Sequence, residues 1–441
     1  MKKNLLLILP LLLLVSCQET SEHTPVLKNT KERQPIIIVN KNRHLKIPEF
    51  WIDQLKEPDK IIMDAKAIQS FNEHTAYTQH KLTFFKDIAS SYGSEWVKES
   101  IQKSRISLSK TARYFEDGNP IKKQFFEEMQ TYSNLNTLPP QSVPTRYALT
   151  VNYTNQRIVP TDLALLKKKN QIYFDRNQNS ALDIATPIAI LHSTADGLWH
   201  YGIAPTSSGW IKDSDIAFGD KKSIEGYLSS PNFVVTTAAK TALLIAGEYH
   251  DYLRMGVRLP VVMTIDEMSM VLIPTRDEEG DLVIANGTLK TADTHKGYLP
   301  YTAKNILLQA FKFLNAPYGW GGMYGEQDCS KFIQEVYATT GIKLPRNSLS
   351  QSEVGNNKTE LMNVPTEQKK EMFSKFEGGK TILHLPGHIV LYLGEYKGEP
   401  YIIHTVWGSS KRHFALGRTA VTALSFNDYI QQVDRATVIQ Q

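Results

Sequence analysis

The chain has 441 residues, of which 41% are hydrophobic and 22% charged, and its formal net charge is +5. This balance is ordinary for globular domains and excludes both a disordered chain and a multi-span membrane protein. The positive charge is spread in short clusters such as Lys167–Lys169, with no concentrated basic stripe, so no nucleic-acid partner is expected.

At roughly 100–200 residues per domain, the length suggests about three or four domains. Lys2 and Lys3 are followed by an apolar run from Leu5 to Val15 and then by Ser16-Cys17. The run is too short to span a bilayer, which takes roughly 20 residues, and reads as a secretory signal over residues 1–17. The ending Leu14-Val15-Ser16-Cys17 resembles the bacterial lipobox. That resemblance implies cleavage before Cys17, acylation of its thiol, and a lipoprotein anchored to a membrane of the cell envelope, at the periplasmic or outer-membrane face.

Residues 18–46 are polar and broken by Pro25 and Pro35, with one short apolar run at Ile36–Val39, and read as a tether. Residues 47–142 carry helical spacing: Ile61, Ile62, Ala65 and Ile68, then Phe84, Phe85 and Ile88, then Trp96, Val97 and Ile101, with Ser94 as a candidate N-cap. Residues 143–219 change to short strands and turns: Ile188–Leu191, the turn Ala195-Asp196-Gly197, Leu198–Tyr201, and Ser208-Gly209 before Trp210-Ile211. Residues 220–298 repeat that texture in Leu259–Ile265, Met268–Ile273, the turn Glu279-Gly280-Asp281 and Leu282–Ala285. Each region fits a small barrel. Residues 299–441 place helical patterns at Thr302–Leu314 and Asp328–Thr340 ahead of strands at His388–Leu393 and Tyr401–Thr405, an α+β order.

The chain has two cysteines, Cys17 and Cys329. If Cys17 is acylated, Cys329 is a lone thiol with no disulfide partner, and a leftover thiol in an exported protein points to reactivity. It lies in Ala316-Pro317-Tyr318-Gly319-Trp320-Gly321-Gly322-Met323-Tyr324-Gly325-Glu326-Gln327-Asp328-Cys329-Ser330. Asp328 suits an N-cap, which puts Cys329 at the first helical position, where the helix dipole favours thiolate. A thiol nucleophile needs a base. His388 opens an apolar strand after Pro386-Gly387, and His404 or His413 is placed to orient it. His384 and His388 form H-x-x-x-H, but Pro386 and Gly387 break any helix between them and no glutamate intervenes, so a metal site is not expected.

Taken together, Asp328-Cys329-Ser330, Gly387-His388 and His404 are similar to the NlpC family of cysteine peptidases. Tyr318-Gly319-Trp320-Gly321-Gly322 before the helix and Leu344-Pro345-Arg346-Asn347-Ser348 after it match as well. Upstream, Tyr173-Phe174-Asp175-Arg176-Asn177-Gln178 and Gly209-Trp210-Ile211 resemble the multi-domain branch of that family. The resemblance implies a multidomain fold: a small helical N-terminal domain that stabilises the rest, two SH3-like β-barrels, and a C-terminal α+β papain-like peptidase domain. It implies Cys329 as nucleophile, His388 as general base and acid, and His404 as orienter. Tyr318 would help hold the oxyanion or substrate, Trp320 would border the groove, and Asp328 and Ser330 would contact the peptide's amine end. Lys331 stands where many relatives carry Gly or another small residue, which implies a different local pocket shape. The reaction implied is hydrolysis of the γ-D-glutamyl bond to the diamino acid of peptidoglycan stem peptides or muropeptide fragments. No cofactor is implied, since thiolate and imidazole supply the chemistry. Two rival readings use the same residues: a papain-like amidase or acyltransferase, and a non-catalytic wall-binding lipoprotein with tandem barrels.

Overall fold

The computed structural model describes residues 42–409 and 414–440. The signal segment with Cys17, nearly all of the expected tether, and His413 lie outside the described residues. Among the described residues no helix is long and apolar enough to cross a membrane.

Residues 43–142 are mostly short helices whose apolar faces pack into neighbouring cores. Trp51 and Phe71 are buried among residues of the C-terminal domain, such as Ile306, Phe332 and Val354. Val97 and Ile101, on the helix Ser94–Ser109, pack instead on Leu191, Trp199 and Trp210. Two expectations shift here. The helix anticipated from Ile61 spans Ala65–Glu73, because the Asp64 side chain accepts the Ala67 amide and sets the start; Met63 bridges to Tyr301 in extended form. Gly93, and not Ser94, occupies the cap of the following helix, with no side-chain cap bond.

The first barrel is a seven-stranded antiparallel sheet ordered Gln178–Leu182, Thr154–Arg157, Ser208–Lys212, Trp199–Ile203, Pro187–Ser193, Arg146–Thr150, Ile216–Gly219. The second has seven strands as well, ordered Glu248–Arg254, Lys240–Ile245, Leu282–Lys290, Met268–Arg276, Arg258–Ile265, Phe233–Thr236, Thr294–Lys296. Both contain a strand with a bulge, between Ile190 and His192 in the first and between Val261 and Met263 in the second, which bends the strand.

The C-terminal domain is a six-stranded antiparallel sheet ordered Lys358–Glu360, Arg435–Val438, Thr381–Leu385, His388–Tyr396, Glu399–Ser409, Phe414–Ala423. Its central strands bury both faces by alternation. Ile389, Leu391, Leu393 and Ile403 join the helices Ala303–Phe311 and Cys329–Ala338 in one core, while Val390, Tyr392 and Ile402 join Phe373 and Tyr429 in another. Each such side chain contributes roughly 1.5–3 kcal/mol by burial. The two-sided core clamps the strand that starts at His388 against the helix that starts at Cys329, and this positions the site.

Candidate active site

The loop before Cys329 turns back on itself. The Gly319 amide donates to the Gln327 carbonyl and the Gly322 amide to the Gly319 carbonyl. Gly321 and Gly322 take φ of 64° and 89°, a region that favours glycine, and they face the first barrel. The Gln178 amide donates to the Gly321 carbonyl at 3.2 Å and the Tyr153 hydroxyl to the Gly322 carbonyl at 2.5 Å.

Asp328 caps the helix Cys329–Ala338 by accepting the Lys331 amide at 2.8 Å. The same carboxylate accepts from the Gly321 amide at 3.0 Å, from Ser330 Oγ at 3.1 Å, and from both terminal nitrogens of Arg346 at 3.1 and 2.7 Å. Burial works to raise its pKa, but the Arg346 charge and these donors outweigh burial and hold the carboxyl below the usual range. Arg346 also donates to Ser330 Oγ at 2.9 Å and to Ser180 of the first barrel at 3.0 Å. One buried guanidinium therefore ties cap, helix and barrel together. Asp328 and Ser330, expected at the substrate's amine end, are built into this network.

Cys329 is half-buried at the first position of its helix. The expected lowering of its pKa does not follow. Burial, and secondly the Asp328 charge, push the thiol up to about 12, against the Ile389 and Ser330 amides and Arg346, which act to lower it. The helix end is present, but loss of hydration and the adjacent carboxylate outweigh it.

His388 Nε2 lies 2.8 Å from His404 Nδ1, and His404 Nε2 lies 3.1 Å from Thr422 Oγ1. The register behind this is Ile403 opposite Leu391 on one side and His404 opposite Ala420 on the other. Burial, and then the neighbouring His384, lower His388 to about 4; burial, and then His388, hold His404 well below the ordinary imidazole value. Tyr429 packs over both rings, at 5.6 Å from His388 and 5.7 Å from His404. With these shifts the Cys329 thiol and the His388 imidazole both rest neutral, and His388 Nε2 is occupied by His404. His384 sits on the adjacent strand with its Nδ1 2.7 Å from Asp434.

Tyr318 stands near enough to Cys329 that a thiolate there would raise its already elevated phenol pKa, for which burial is the main cause. Its ring meets Phe174 at 6.1 Å and Trp407 at 5.8 Å. Trp320 packs on Phe174 at 5.5 Å and under the Arg176 guanidinium at 4.2 Å. Lys331 is buried and pairs with Asp183 of the first barrel at 3.2 Å and with Glu335 at 3.7 Å. Sequence reasoning missed Thr422, Tyr153, Ser180 and Asp183, and saw Gln178 in a motif without assigning it a role. Arg346 was visible in a motif, without a role.

Comparison with known proteins agrees with this architecture. Residues 315–413 match the profile of the NlpC/P60 family, and residues 165–212 that of the SH3 domain of SH3b1 type. A gamma-D-glutamyl-L-lysine dipeptidyl-peptidase of Bacillus subtilis (strain 168) is 33% identical over 97 residues, 21% of this chain and 30% of the relative. A protein of the same name from Bacillus cereus (strain ATCC 10987 / NRS 248) is 27% identical over 194 residues, 42% of this chain and 54% of the relative. The matches thus span less than two thirds of either relative. The solved structure of an NlpC/P60 endopeptidase from Photobacterium damselae subsp. piscicida superposes over 87% of this chain and 94% of its own, with a TM-score of 0.69 at 22% identity, and shares the fold. The chain is therefore a multidomain protein that carries an SH3 domain of the SH3b1 type and a C-terminal NlpC/P60 family domain.

Proposed function

We propose that the protein is a cysteine peptidase that hydrolyses the γ-D-glutamyl bond to the diamino acid in cell-wall stem peptides. The observation that carries this reading is the chain His388, His404, Thr422, which holds the His388 imidazole at its Nε2 on the strand whose Ile389 amide reaches the helix-start thiol of Cys329. Cys329 Sγ attacks the carbonyl carbon while its proton passes to His388 Nδ1. The tetrahedral oxyanion lies toward Tyr318 and the amides at the helix start. Its collapse breaks the C–N bond, and His388 returns the proton to the leaving amine. Water, deprotonated by His388, then releases the acyl group from sulfur and restores the thiol. Because thiol and imidazole both rest neutral, proton transfer accompanies attack.

The names of the Bacillus relatives support the γ-D-glutamyl bond as the target. The first barrel closes one side of the loop that bears Tyr318 and Trp320, which supports short stem-peptide or muropeptide fragments as substrates over intact wall. Asp328 and Ser330 border the amine end of the peptide in this reading.

The test is mass spectrometry of L-Ala-γ-D-Glu-diaminopimelate and L-Ala-γ-D-Glu-L-Lys after incubation with protein lacking residues 1–17, beside Cys329→Ala. Release of L-Ala-γ-D-Glu by the wild type alone is the expected result. Failure to cleave either peptide or purified wall would move the reading to a wall-binding protein, and cleavage at another bond to a different amidase chemistry. Acylation of Cys17 belongs to the same proposal; a Cys17→Ala variant that stays in the membrane fraction would refute it.

A further inference from the structure

Two arginines, the buried Arg113 and the half-buried Arg176, form no ion pair with a carboxylate among the described residues. Arg113 follows the helix Ser94–Ser109 and is 9% exposed. Its Nε is buried without a hydrogen-bond partner, and its one side-chain bond is from Nη1 to the Ala112 carbonyl at 3.2 Å. Arg176, on the first barrel, has a buried Nε without a partner too, and lies over the Trp320 ring at 4.2 Å. The adjacent Asp175 carboxylate is turned away, toward Arg157 at 2.7 Å and the amides of Leu165 and Asn177. The two guanidiniums are close enough that Arg176 lowers the pKa of Arg113, after burial; burial lowers Arg176 itself, and its opposing influence is Tyr318. The indole Nε1 of Trp320 is a third buried donor without a partner. Burying charge without compensation is costly, and like charges side by side add to the cost. Arg176 and the Trp320 indole thus place two unsatisfied donors on the wall that Trp320 shares with Tyr318 through Phe174, with the Arg113 guanidinium close enough to feel the Arg176 charge.

We propose that Arg113, Arg176 and the Trp320 indole form a carboxylate subsite that extends the groove from Cys329 onto the first barrel. The planar fork of a guanidinium matches a carboxylate, and a bound anion would satisfy all three donors. The proposal rests on the stem-peptide reading above, which offers two sources of that group: the α-carboxylate of the D-glutamyl residue, or the second carboxylate of diaminopimelate.

The experiment compares kcat/KM of wild type, Arg176→Gln and Arg113→Gln on three peptides: L-Ala-γ-D-Glu-diaminopimelate, L-Ala-γ-D-Glu-L-Lys, and L-Ala-γ-D-isoglutaminyl-L-Lys, whose α-carboxylate is an amide. The wild type is expected to favour the carboxylate-bearing member of one pair by roughly 10- to 100-fold, and Arg176→Gln to level that preference, mainly through KM. Levelling of the diaminopimelate-to-lysine ratio assigns the second carboxylate; levelling of the glutamyl-to-isoglutaminyl ratio assigns the first. Both ratios unchanged in both variants, or a uniform loss on all three peptides, would overturn the subsite. If the wild type cleaves none of them, the peptidase reading fails, and calorimetric binding of the same peptides to Cys329→Ala still decides this one. Weaker binding of the carboxylate form on adding Arg176→Gln supports the subsite; equal binding, or none, refutes it.

Discussion

The Thr422 hydroxyl lies 3.1 Å from His404 Nε2, and this contact bears on which nitrogen of His388 is free to accept a proton. For His388 Nδ1 to be the acceptor, its Nε2 must carry hydrogen and donate to His404 Nδ1. His404 must then donate from Nε2 to Thr422 Oγ1. The reverse tautomers would leave a proton on His388 Nδ1 and no base. Thr422→Val removes the acceptor at the end of the chain. We expect kcat to fall roughly 5- to 30-fold with KM nearly unchanged, and Thr422→Ser to restore most of it. Steady-state kinetics on the tripeptides check this; an unaltered kcat in Thr422→Val would mean that the threonine does not set the tautomer.

The pH dependence follows from the same geometry. His388, lowered to about 4, must be neutral to act, so activity is full above that value and falls as pH drops through it. Cys329, raised to about 12, gives no alkaline limb in the ordinary thiol range. The kcat/KM profile should therefore be flat from roughly pH 5 to 9. The depressed histidines carry a stability consequence with the same sign. The unfolded chain takes up protons that the folded site refuses, so stability present above the free imidazole value, roughly 6.5, is lost as pH falls toward 4. A bell with an acid limb near 4 and an alkaline limb near 8 would instead report a preformed thiolate–imidazolium pair.

The catalytic candidates were legible because each has a local signature. Asp328 before Cys329 marks a helix start, and Gly387 before His388 marks a strand start, and both hold. The pairing of His388 with His404 needed a register that sequence does not carry, since the ladders on either side of that strand have irregularities, between Tyr392 and Gly394 and between Val406 and Gly408. Thr422 was invisible for the same reason. Tyr153, Gln178 and Ser180 act on the site across more than 140 residues of chain, and no spacing rule reaches that far. The thiol expectation failed differently: the dipole argument was sound, but burial and the Asp328 charge are tertiary facts that outweighed it.

The contact between barrel and site loop should be sensitive to one methyl group. Gly322 has φ of +89°, and a Cβ there would lie 2.7 Å from Ala181 Cβ and 2.9 Å from Tyr153 Oη. Gly322→Ala is expected to destabilise by roughly 1–3 kcal/mol and to reduce activity along with it, because either the loop or the Tyr153 bond must shift. Gly387 is the control: its φ is +77°, but a Cβ would meet nothing within 4 Å, so Gly387→Ala carries only the backbone cost of about 1 kcal/mol. Thermal unfolding of the two variants separates steric conflict from backbone strain, and equal losses would count against the packing argument.

Glu335 gives the last prediction. It is buried on the helix Cys329–Ala338, with the Lys331 amine at 3.7 Å and the Gln327 side chain acting with Lys331 to favour its charged form. Burial is the main cause of its raised pKa; Lys331 acts to lower it, and the Asp183 charge adds to the rise. A raised folded-state value means that the folded protein holds this proton more tightly than the unfolded chain. The stability it confers is full below the ordinary glutamate range, roughly 4.3, and is lost as pH climbs through the raised value. Glu335→Gln keeps the shape and removes the titration. The variant should match the wild type near pH 5 and exceed it at pH 9 by about 1–3 kcal/mol in urea unfolding. A wild type that is the more stable at pH 9 would mean that Glu335 is ionised there and held by Lys331 and Arg254, and that the pair stabilises the helix start on which Cys329 sits.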